Sequence, residues 1–207
     1  MEYAFLGWHD GHGGGGEDGS RLRLDYRGFA YAGKFVTSST GVAVVRDPTD
    51  PLDVDVGVDG PPQIGDPTVV AAVAFNEDRT DAETLWLRYV TVRTDRRGEE
   101  LGPRLVAFVC DRARERGYER CRIAVNNVFS YEALSKVGFA YTGRETGLAE
   151  LVLDRDFDGS GVDADTYQRG LDVFRARDLS AEERTFLASR EGAGPPEGVG
   201  ALGEGDE

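Results

Sequence analysis

The most constraining stretch of this sequence is residues 85–105, LWLRYVTVRTDRRGEELGPRL. Its first part is rich in β-branched and aromatic residues, which favours a strand, and its last part begins a helix with an apolar stripe. A strand that feeds a helix through a glycine-containing turn leaves backbone N–H groups unpaired at the positive end of the helix. Arg97 and Arg104 add charge there, so the stretch predicts an anion-binding turn. Such a junction also forms for purely local reasons, and the stretch alone leaves both interpretations open.

The other elements predicted from apolar periodicity belong to one sheet and its helices. Strands are predicted at residues 3–8, 41–46, 68–75, 84–93, 120–125, 139–143 and 148–153, with a short extended piece at 54–58. Helices are predicted at residues 101–116, 130–137, 163–175 and 180–189, with a short helix at 29–35. From residue 41 to residue 153 this order predicts an α/β fold, a single mixed, largely antiparallel sheet with helices on both faces. The last two long helices then lie C-terminal to the sheet.

The chain is strongly acidic. Its formal net charge is −14 over 207 residues, and Lys34 and Lys136 are the only lysines. This composition is typical of a halophilic protein in a high-salt cytoplasm, although an acidic protein from a GC-rich genome would share it. A negative field disfavours nucleic acid as a partner, because phosphate binding needs clustered cations. No stretch has the apolar length of a membrane span or the pattern of a signal peptide, so we expect a cytoplasmic protein.

Cysteine and histidine offer little chemistry here. Cys110 and Cys121 lie in apolar patterns, which predicts buried free thiols in a reducing cytosol. His9, Asp10 and His12 could form a metal cluster, but they lie in a glycine-rich segment whose ordering would oppose binding. We therefore expect no metal.

Two motifs in order resemble a known superfamily. The predicted strand 120–125 is followed by Asn126-Asn127 and FSYEALSKVGF. Together, V-T-V-R-T-D-R-R-G-E-E-L-G-P-R-L and N-x-x-S-x-x-A-L-S-K-V-G-F resemble the GNAT superfamily of acyl-CoA N-acyltransferases, over residues 68–153. The resemblance implies the acyl-CoA N-acyltransferase fold, with a central splayed strand pair, in an N-acetyltransferase domain at residues 1–155. A C-terminal helical extension at 156–190 and a disordered acidic tail at 191–207 would follow.

The resemblance also implies acetyl-CoA as co-substrate. The main chain of the predicted strand 84–93, at Val90, Thr91 and Val92, would pair with the pantetheine arm. Residues 97–102 would match the family's Arg/Gln-x-x-Gly-x-Gly turn over the pyrophosphate. Asn127 would lie near the thiol end. The implied cofactor-binding residues are Val90, Thr91, Val92, Arg97, Gly98, Glu99, Glu100, Leu101, Gly102, Arg104 and Asn127. The turn departs from the family pattern, because Glu100 replaces its first glycine and Pro103 removes an N–H donor. If the side chains of Glu99 and Glu100 point towards solvent, their negative charge stabilises the N-terminus of the helix. If they point towards the pyrophosphate, they would repel the cofactor.

The general acid and general base that the family uses have no direct match in this sequence, so only substitute candidates can be named. The family often has a tyrosine on the short helix to protonate the leaving thiolate, and Tyr131 is the substitute candidate, although it also fits a core position. Some relatives carry glutamate where Arg122 stands here. Glu83 is then the candidate general base, with Asp81 next, and both also fit a solvated turn.

The sequence therefore predicts an acetyl-CoA-dependent N-acetyltransferase. It would transfer the acetyl group by direct attack of a primary amine in a ternary complex, the acceptor being a small-molecule amine or a protein N-terminus or lysine. Two alternatives stay open: a non-catalytic acyl-CoA-binding or interaction module that keeps the fold, and a small-molecule or peptide-binding α/β domain without CoA. No nucleic-acid or membrane partner is expected, and a homodimer stays open.

Overall fold

The computed structural model of the chain describes residues 1–8, 22–37, 41–52, 65–159 and 161–199. Within these ranges the strands are β1 (Glu2–Phe5), β2 (Gly41–Arg46), β3 (Val69–Glu77), β4 (Thr84–Val92), β5 (Arg120–Val125), β6 (Ala140–Glu145) and β7 (Leu151–Asp156). The helices are α1 (Lys34–Thr37), α2 (Leu101–Glu115), α3 (Val128–Ser135), α4 (Ala164–Arg175) and α5 (Ala181–Ser189), and Thr94–Arg96 form one 3₁₀ turn.

The strands of the described chain form one seven-stranded sheet in the order β1-β2-β3-β4-β5-β7-β6. β2 pairs antiparallel with β1 and β3, and β7 pairs antiparallel with β5 and β6. α2 lies between β4 and β5 in the chain. The structure therefore confirms the predicted fold class, a mixed and largely antiparallel α/β sheet with helices.

Contacts divide the chain into two compact units. The first includes Met1–Glu77 and Leu87–Val109, and the second includes Asp78–Trp86 and the described chain from Cys110 onward. The C-terminal helices α4 and α5 thus belong to the same unit as β5, β6 and β7. The domain boundary expected between residues 155 and 156 stays a prediction.

The core of the first unit is built on β2 and β3, which are buried on both faces. Their continuous apolar sequences predict such burial, because a half-exposed strand would alternate. On one side, Leu22, Leu24, Phe29, Ala32 and Phe35 pack with Val42, Val44, Val69, Ala72 and Ala74. An aromatic group contacts the same strands, with the Phe5 and Phe108 rings stacked at 4.7 Å and the Trp8 and Phe75 rings 4.6 Å apart.

The core of the second unit joins α3 to α4 through aromatic rings. The Tyr131 ring lies 5.7 Å from that of Tyr167 and 5.7 Å from that of Phe174. Beside them, the carboxylate of Glu132 accepts a hydrogen bond from the Tyr167 hydroxyl and one of 3.0 Å from Arg190. Burying this carboxylate is tolerable because both of its oxygens are hydrogen-bonded.

Most element boundaries differ from the sequence prediction by one to three residues, β7 lying three residues later than predicted, and three differences have clear local reasons. β1 ends at Phe5 because Gly7, with φ of +100°, turns the chain. The helix predicted at residues 29–35 is a series of turns, in which the Asp25 carbonyl accepts from the Gly28 and Phe29 amides, and only Lys34–Thr37 are helical. α3 begins two residues earlier than predicted because the Asn127 side chain accepts from the Ser130 amide at 2.8 Å and caps it.

The C-terminal part shows one predicted cap and one unexpected contact. Ser180 and Glu183 form the predicted capping box of α5. The Val199 amide donates to the Lys136 carbonyl at 3.1 Å, and Gln168 donates to the Ala193 carbonyl at 2.7 Å, so the described chain after α5 packs against α3 and α4. The metal-cluster residues 9–12, the extended piece at 54–58 and the tail from residue 200 lie outside the described residues.

Both cysteines are fully buried and free, as the sequence predicts. No described helix combines the length and the apolar character that crossing a bilayer requires.

Candidate functional site

The turn that the sequence predicts to bind an anion lies between β4 and α2. After β4 ends at Val92, the chain makes the 3₁₀ turn and then turns twice more, at Gly98 with φ of +89° and at Glu100 with φ of +60°. The Glu100 carbonyl accepts from the Arg104 amide at 3.1 Å, which makes Glu100 the residue that precedes the first helical position. The amides of Leu101 and Gly102 come before the helical hydrogen-bond pattern begins and are available to an anion.

The backbone of Glu100 is left-handed. The left-handed conformation costs an L-residue about 1–2 kcal/mol of conformational free energy, and it costs glycine almost none. Glu100 has a φ of +60°, a conformation that glycine would adopt without strain. The turn therefore follows a backbone path that glycine adopts easily, although a glutamate stands here.

Gly102 allows α2 to approach β4 closely. A Cβ at this position would lie 3.3 Å from Val92 Cγ2 and 4.0 Å from Val90 Cγ1. The branched side chains of two predicted cofactor-binding residues thus contact the helix start directly. This contact fixes the first N–H groups of α2 relative to the end of β4.

The 22–37 segment holds β4 and the turn in place. The Thr91 hydroxyl donates to the Ala30 carbonyl at 2.9 Å, and Thr94 donates to the Gly28 carbonyl from both its amide and its hydroxyl. Tyr31 lies over the same strand, its ring 6.2 Å from that of Tyr89. The 22–37 segment therefore packs on β4 through contacts that the apolar periodicity of its sequence does not predict.

Two arginines at this junction, Arg93 and Arg96, form ion pairs with carboxylates. Arg93 is 1% exposed and donates to Asp95 at 2.8 Å and to both the carboxylate and the carbonyl of Asp50. Arg96 donates to Asp47 at 3.1 Å, to Asp50 at 2.9 Å and to both oxygens of the Glu99 carboxylate at 2.9 Å. The Thr49 hydroxyl and Arg96 lower the pKa of Asp47 to about 2, so this carboxylate stays ionised.

The other two arginines, Arg97 and Arg104, are exposed and have no ion pair within the described ranges. They flank the turn, one before Gly98 and one in the first turn of α2. These two are the arginines that the sequence assigns to phosphate binding. Every predicted cofactor-binding residue except Asn127 lies at this junction, inside the first unit.

Asn127 belongs to the second unit, where it caps α3. Its side-chain oxygen accepts from the Ser130 amide at 2.8 Å, and its nitrogen donates to the Ser130 hydroxyl at 3.0 Å. Both ends of the amide are thus used in capping. The preceding residue, Asn126, accepts at its carbonyl from Arg177 at 3.4 Å.

The environment of Tyr131 does not support the proton-donor role. Tyr131 is 0% exposed, and its hydroxyl donates to the Tyr167 carbonyl at 3.0 Å. Burial raises the pKa of this phenol, which makes proton release harder. A buried, stacked and hydrogen-bonded phenol matches the alternative interpretation, a core tyrosine.

The carboxylates near the start of β4 differ in their partners. Glu83 is exposed in the turn before β4, and its carbonyl accepts from the Glu119 amide at 2.8 Å. Asp81 accepts from the Thr84 hydroxyl at 2.7 Å, which lowers the pKa of Asp81 and makes it a weaker base. Arg122 forms a two-point ion pair with Asp154, with both bonds at 2.7 Å.

Residues 64–139 match a family model described as "Acetyltransferase (GNAT) family". This range contains β4, the turn and the start of α2, and so contains the candidate site. No curated protein matches the chain significantly.

Solved structures with similarity to the chain include three acetyltransferases. The N-acetyltransferase from Staphylococcus aureus Mu50 is 15% identical with a TM-score of 0.43, over 56% of this chain and 67% of that one. A putative streptothricin acetyltransferase from Bacillus anthracis str. Ames, in complex with acetyl coenzyme A, is 15% identical with a TM-score of 0.44, over 61% and 68%. The PaiA N-acetyltransferase from Thermoplasma acidophilum, in complex with coenzyme A, is 16% identical with a TM-score of 0.39, over 45% and 57%.

Proposed function

We propose that this chain transfers an acetyl group from acetyl-CoA to a primary amine. The observation that carries the proposal is the β4–α2 junction, which lies inside the segment that matches the acetyltransferase family. There, a glycine-like backbone at Glu100 and the exposed residues Arg97 and Arg104 adjoin the first N–H groups of α2 in the chain. This arrangement suits a diphosphate better than it suits a neutral ligand.

Each part of the junction has its own role in the proposal. The amides of Leu101 and Gly102 would hold the pyrophosphate, with Arg97 and Arg104 on either side. The main chain of residues 90–92 would pair with the pantetheine arm, and one of its N–H groups would polarise the thioester carbonyl. Acetyl-CoA, when bound, supplies the activated acetyl group, which the amine attacks directly.

Glu83 is proposed as the general base that takes the proton of the amine, and Tyr131 is not assigned the role of proton donor to the thiolate. Glu83 is exposed and its carboxylate makes no hydrogen bond to another described residue, so it is free to accept a proton. Orienting an amine against a thioester supplies much of the acceleration, and a general base typically adds 10²–10⁴-fold. The acceptor is proposed to be cationic before it loses its proton, a small amine or a protein N-terminus or lysine, which suits the acidic chain.

Binding and turnover test the proposal separately. Acetyl-CoA at 100 times its Kd should raise the free energy of unfolding by about 2.7 kcal/mol, measured as a rise in Tm at constant salt. No rise with millimolar acetyl-CoA would exclude both the enzyme and a CoA-binding module. If Tm rises, release of free CoA with a panel of amines identifies the enzyme. Binding without release would favour the non-catalytic module, which the glutamate at the glycine position and the buried Tyr131 make the second candidate.

Glu100→Gly is expected to tighten acetyl-CoA binding several-fold and to raise the free energy of unfolding by about 1 kcal/mol. The first effect follows from removing a carboxylate beside the phosphate site, and the second from relieving the left-handed backbone. Isothermal titration calorimetry and denaturant unfolding measure the two effects. Glu100→Gln is the matched control, because it removes the charge, keeps the strain, and should tighten binding without stabilising the fold. Weaker binding in Glu100→Gly would mean that the pyrophosphate lies elsewhere.

A further inference from the structure

The turn places two adjacent carboxylates, those of Glu99 and Glu100, next to a candidate diphosphate site. A carboxylate roughly 6 Å from a phosphate charge costs about 1.4 kcal/mol at an effective dielectric constant of 40, which is about tenfold in affinity. An anion site beside two carboxylates therefore needs contacts that hold these carboxylates away from the bound phosphate. The structure shows such a contact for Glu99.

Glu99 is held by Arg96. Both oxygens of the Glu99 carboxylate accept from Arg96 Nε at 2.9 Å, although the Glu99 side chain itself is 44% exposed. An exposed carboxylate three residues from an exposed arginine would form only a weak and mobile pair. The Arg96 side chain, however, is only 15% exposed, so the pair is anchored at one end.

The anchor is the loop after β2. Arg96 Nη1 donates to Asp47 at 3.1 Å and to Asp50 at 2.9 Å, and Asp47 is 14% exposed. Asp50 also binds the buried Arg93, so the acidic side of the cluster is itself fixed. With three carboxylates around its guanidinium group, Arg96 has little positive charge left for a phosphate. It is placed to hold Glu99, while Arg97 and Arg104 remain for the ligand.

We propose that Arg96 is a positioning residue that holds the Glu99 carboxylate away from the diphosphate site, with Asp47 and Asp50 as its anchor. The proposal rests on the proposed function, because it assigns the role of this cluster at the acetyl-CoA pyrophosphate. It makes the affinity for acetyl-CoA depend on Arg96 through Glu99, and not through contact of Arg96 with the ligand.

A double-mutant cycle on acetyl-CoA binding tests this coupling. Kd is measured by isothermal titration calorimetry at constant salt for the wild type, Arg96→Gln, Glu99→Gln and the double variant. Arg96→Gln should weaken binding about tenfold. Glu99→Gln should bind at least as tightly as the wild type, because it removes the carboxylate that Arg96 holds, and the double variant should match Glu99→Gln. Rescue in the double variant is the expected result, and a double variant as weak as Arg96→Gln would overturn the proposal.

Stability and salt separate positioning from a purely structural role. Both Arg96 variants lose the pairs with Asp47 and Asp50, so both should show the same lowered Tm, and only the binding should recover with Glu99→Gln. The binding defect of Arg96→Gln should shrink as ionic strength rises, because it comes from a charge near the protein surface. A recovery of Tm together with binding, or a defect that does not depend on salt, would contradict the proposal.

Two further variants keep the test clear. Arg96→Lys retains a cation near the aspartates if Arg96→Gln does not fold, and its binding defect should be smaller than tenfold and again abolished by Glu99→Gln. Asp95→Asn removes a carboxylate from the same 3₁₀ turn but leaves the Arg96–Glu99 pair, so its Kd should stay within twofold of the wild type. A wild type that does not bind acetyl-CoA would overturn the proposed function itself, whereas binding without rescue would overturn only the role of Arg96.

Discussion

Gly170→Ala is expected to lower the free energy of unfolding by about 2 kcal/mol, although alanine favours a helix more than glycine does. In an exposed helix the substitution would stabilise by about 1 kcal/mol. At this position of α4, however, the new Cβ would lie 2.2 Å from the hydroxyl oxygen of Tyr131 and 2.4 Å from its Cζ. Overpacking of a core typically costs 1–3 kcal/mol and sometimes more, so the clash outweighs the gain in helix propensity.

The clash cannot be relieved cheaply, because the ring of Tyr131 is held on several sides. It is fully buried, lies 5.7 Å from the rings of Tyr167 and Phe174, and donates its hydroxyl to the Tyr167 carbonyl. Denaturant unfolding of Gly170→Ala measures the effect. Gly33→Ala is the control, since its Cβ would meet no atom within 4 Å, and its stability should stay within about 0.5 kcal/mol of the wild type.

The outcome also bears on catalysis. A Gly170→Ala protein as stable as the wild type would show that the Tyr131 ring moves easily. Tyr131 would then become a candidate proton donor again. A large loss of stability would instead support its assignment to the core, and the proposed enzyme would have no phenol on α3 to protonate the thiolate.

The sheet could be predicted from the sequence where the pattern is local and strong. The predicted bounds of β2 and β5 match the structure residue for residue, and α2 differs by a single residue at its end, because apolar period and flanking glycine define them. The 22–37 segment could not be predicted in this way. Its backbone carbonyls accept hydrogen bonds from Thr91 and Thr94, which help to fix its conformation. Because these partners are more than 60 residues away, they leave no periodic pattern in the sequence of the segment.

The same limit applies to the site. The main-chain path of the turn could be predicted, since glycine and the start of a helix are local features. The sequence could not distinguish Arg93 and Arg96 from Arg97, because the aspartates that the first two bind in addition to nearby acidic residues, Asp47 and Asp50, lie more than 40 residues away. Tyr131 presents a similar case. Helical spacing gives its face on α3, but only the packing of α4 shows that this face is buried.

Replacing both Arg97 and Arg104 with glutamate is expected to weaken acetyl-CoA binding at least about a hundredfold. Both side chains are exposed, flank the turn and have no ion pair within the described chain, so their charge remains for a ligand. Reversing each charge turns an attraction into a repulsion of about 1–2 kcal/mol per position at moderate salt. Because no described ion pair is broken, the Tm without ligand should change little. Titration calorimetry measures the affinity, and the loss should become smaller as salt screens the charges.

Arg114→Glu is the matched control for this charge reversal. Arg114 lies on the same helix, α2, with a side chain 64% exposed, but it is ten residues beyond Arg104 and pairs with Asp158. If the site is the turn, this substitution should leave Kd within about twofold of the wild type, since ten helical residues span about 15 Å, more than the Debye length of about 10 Å at 0.1 M salt. Equal losses in both proteins would indicate a general effect of the acidic surface. Retained affinity in the Arg97 and Arg104 variant would place the diphosphate away from this turn, and the assignment of the anion site would then be wrong.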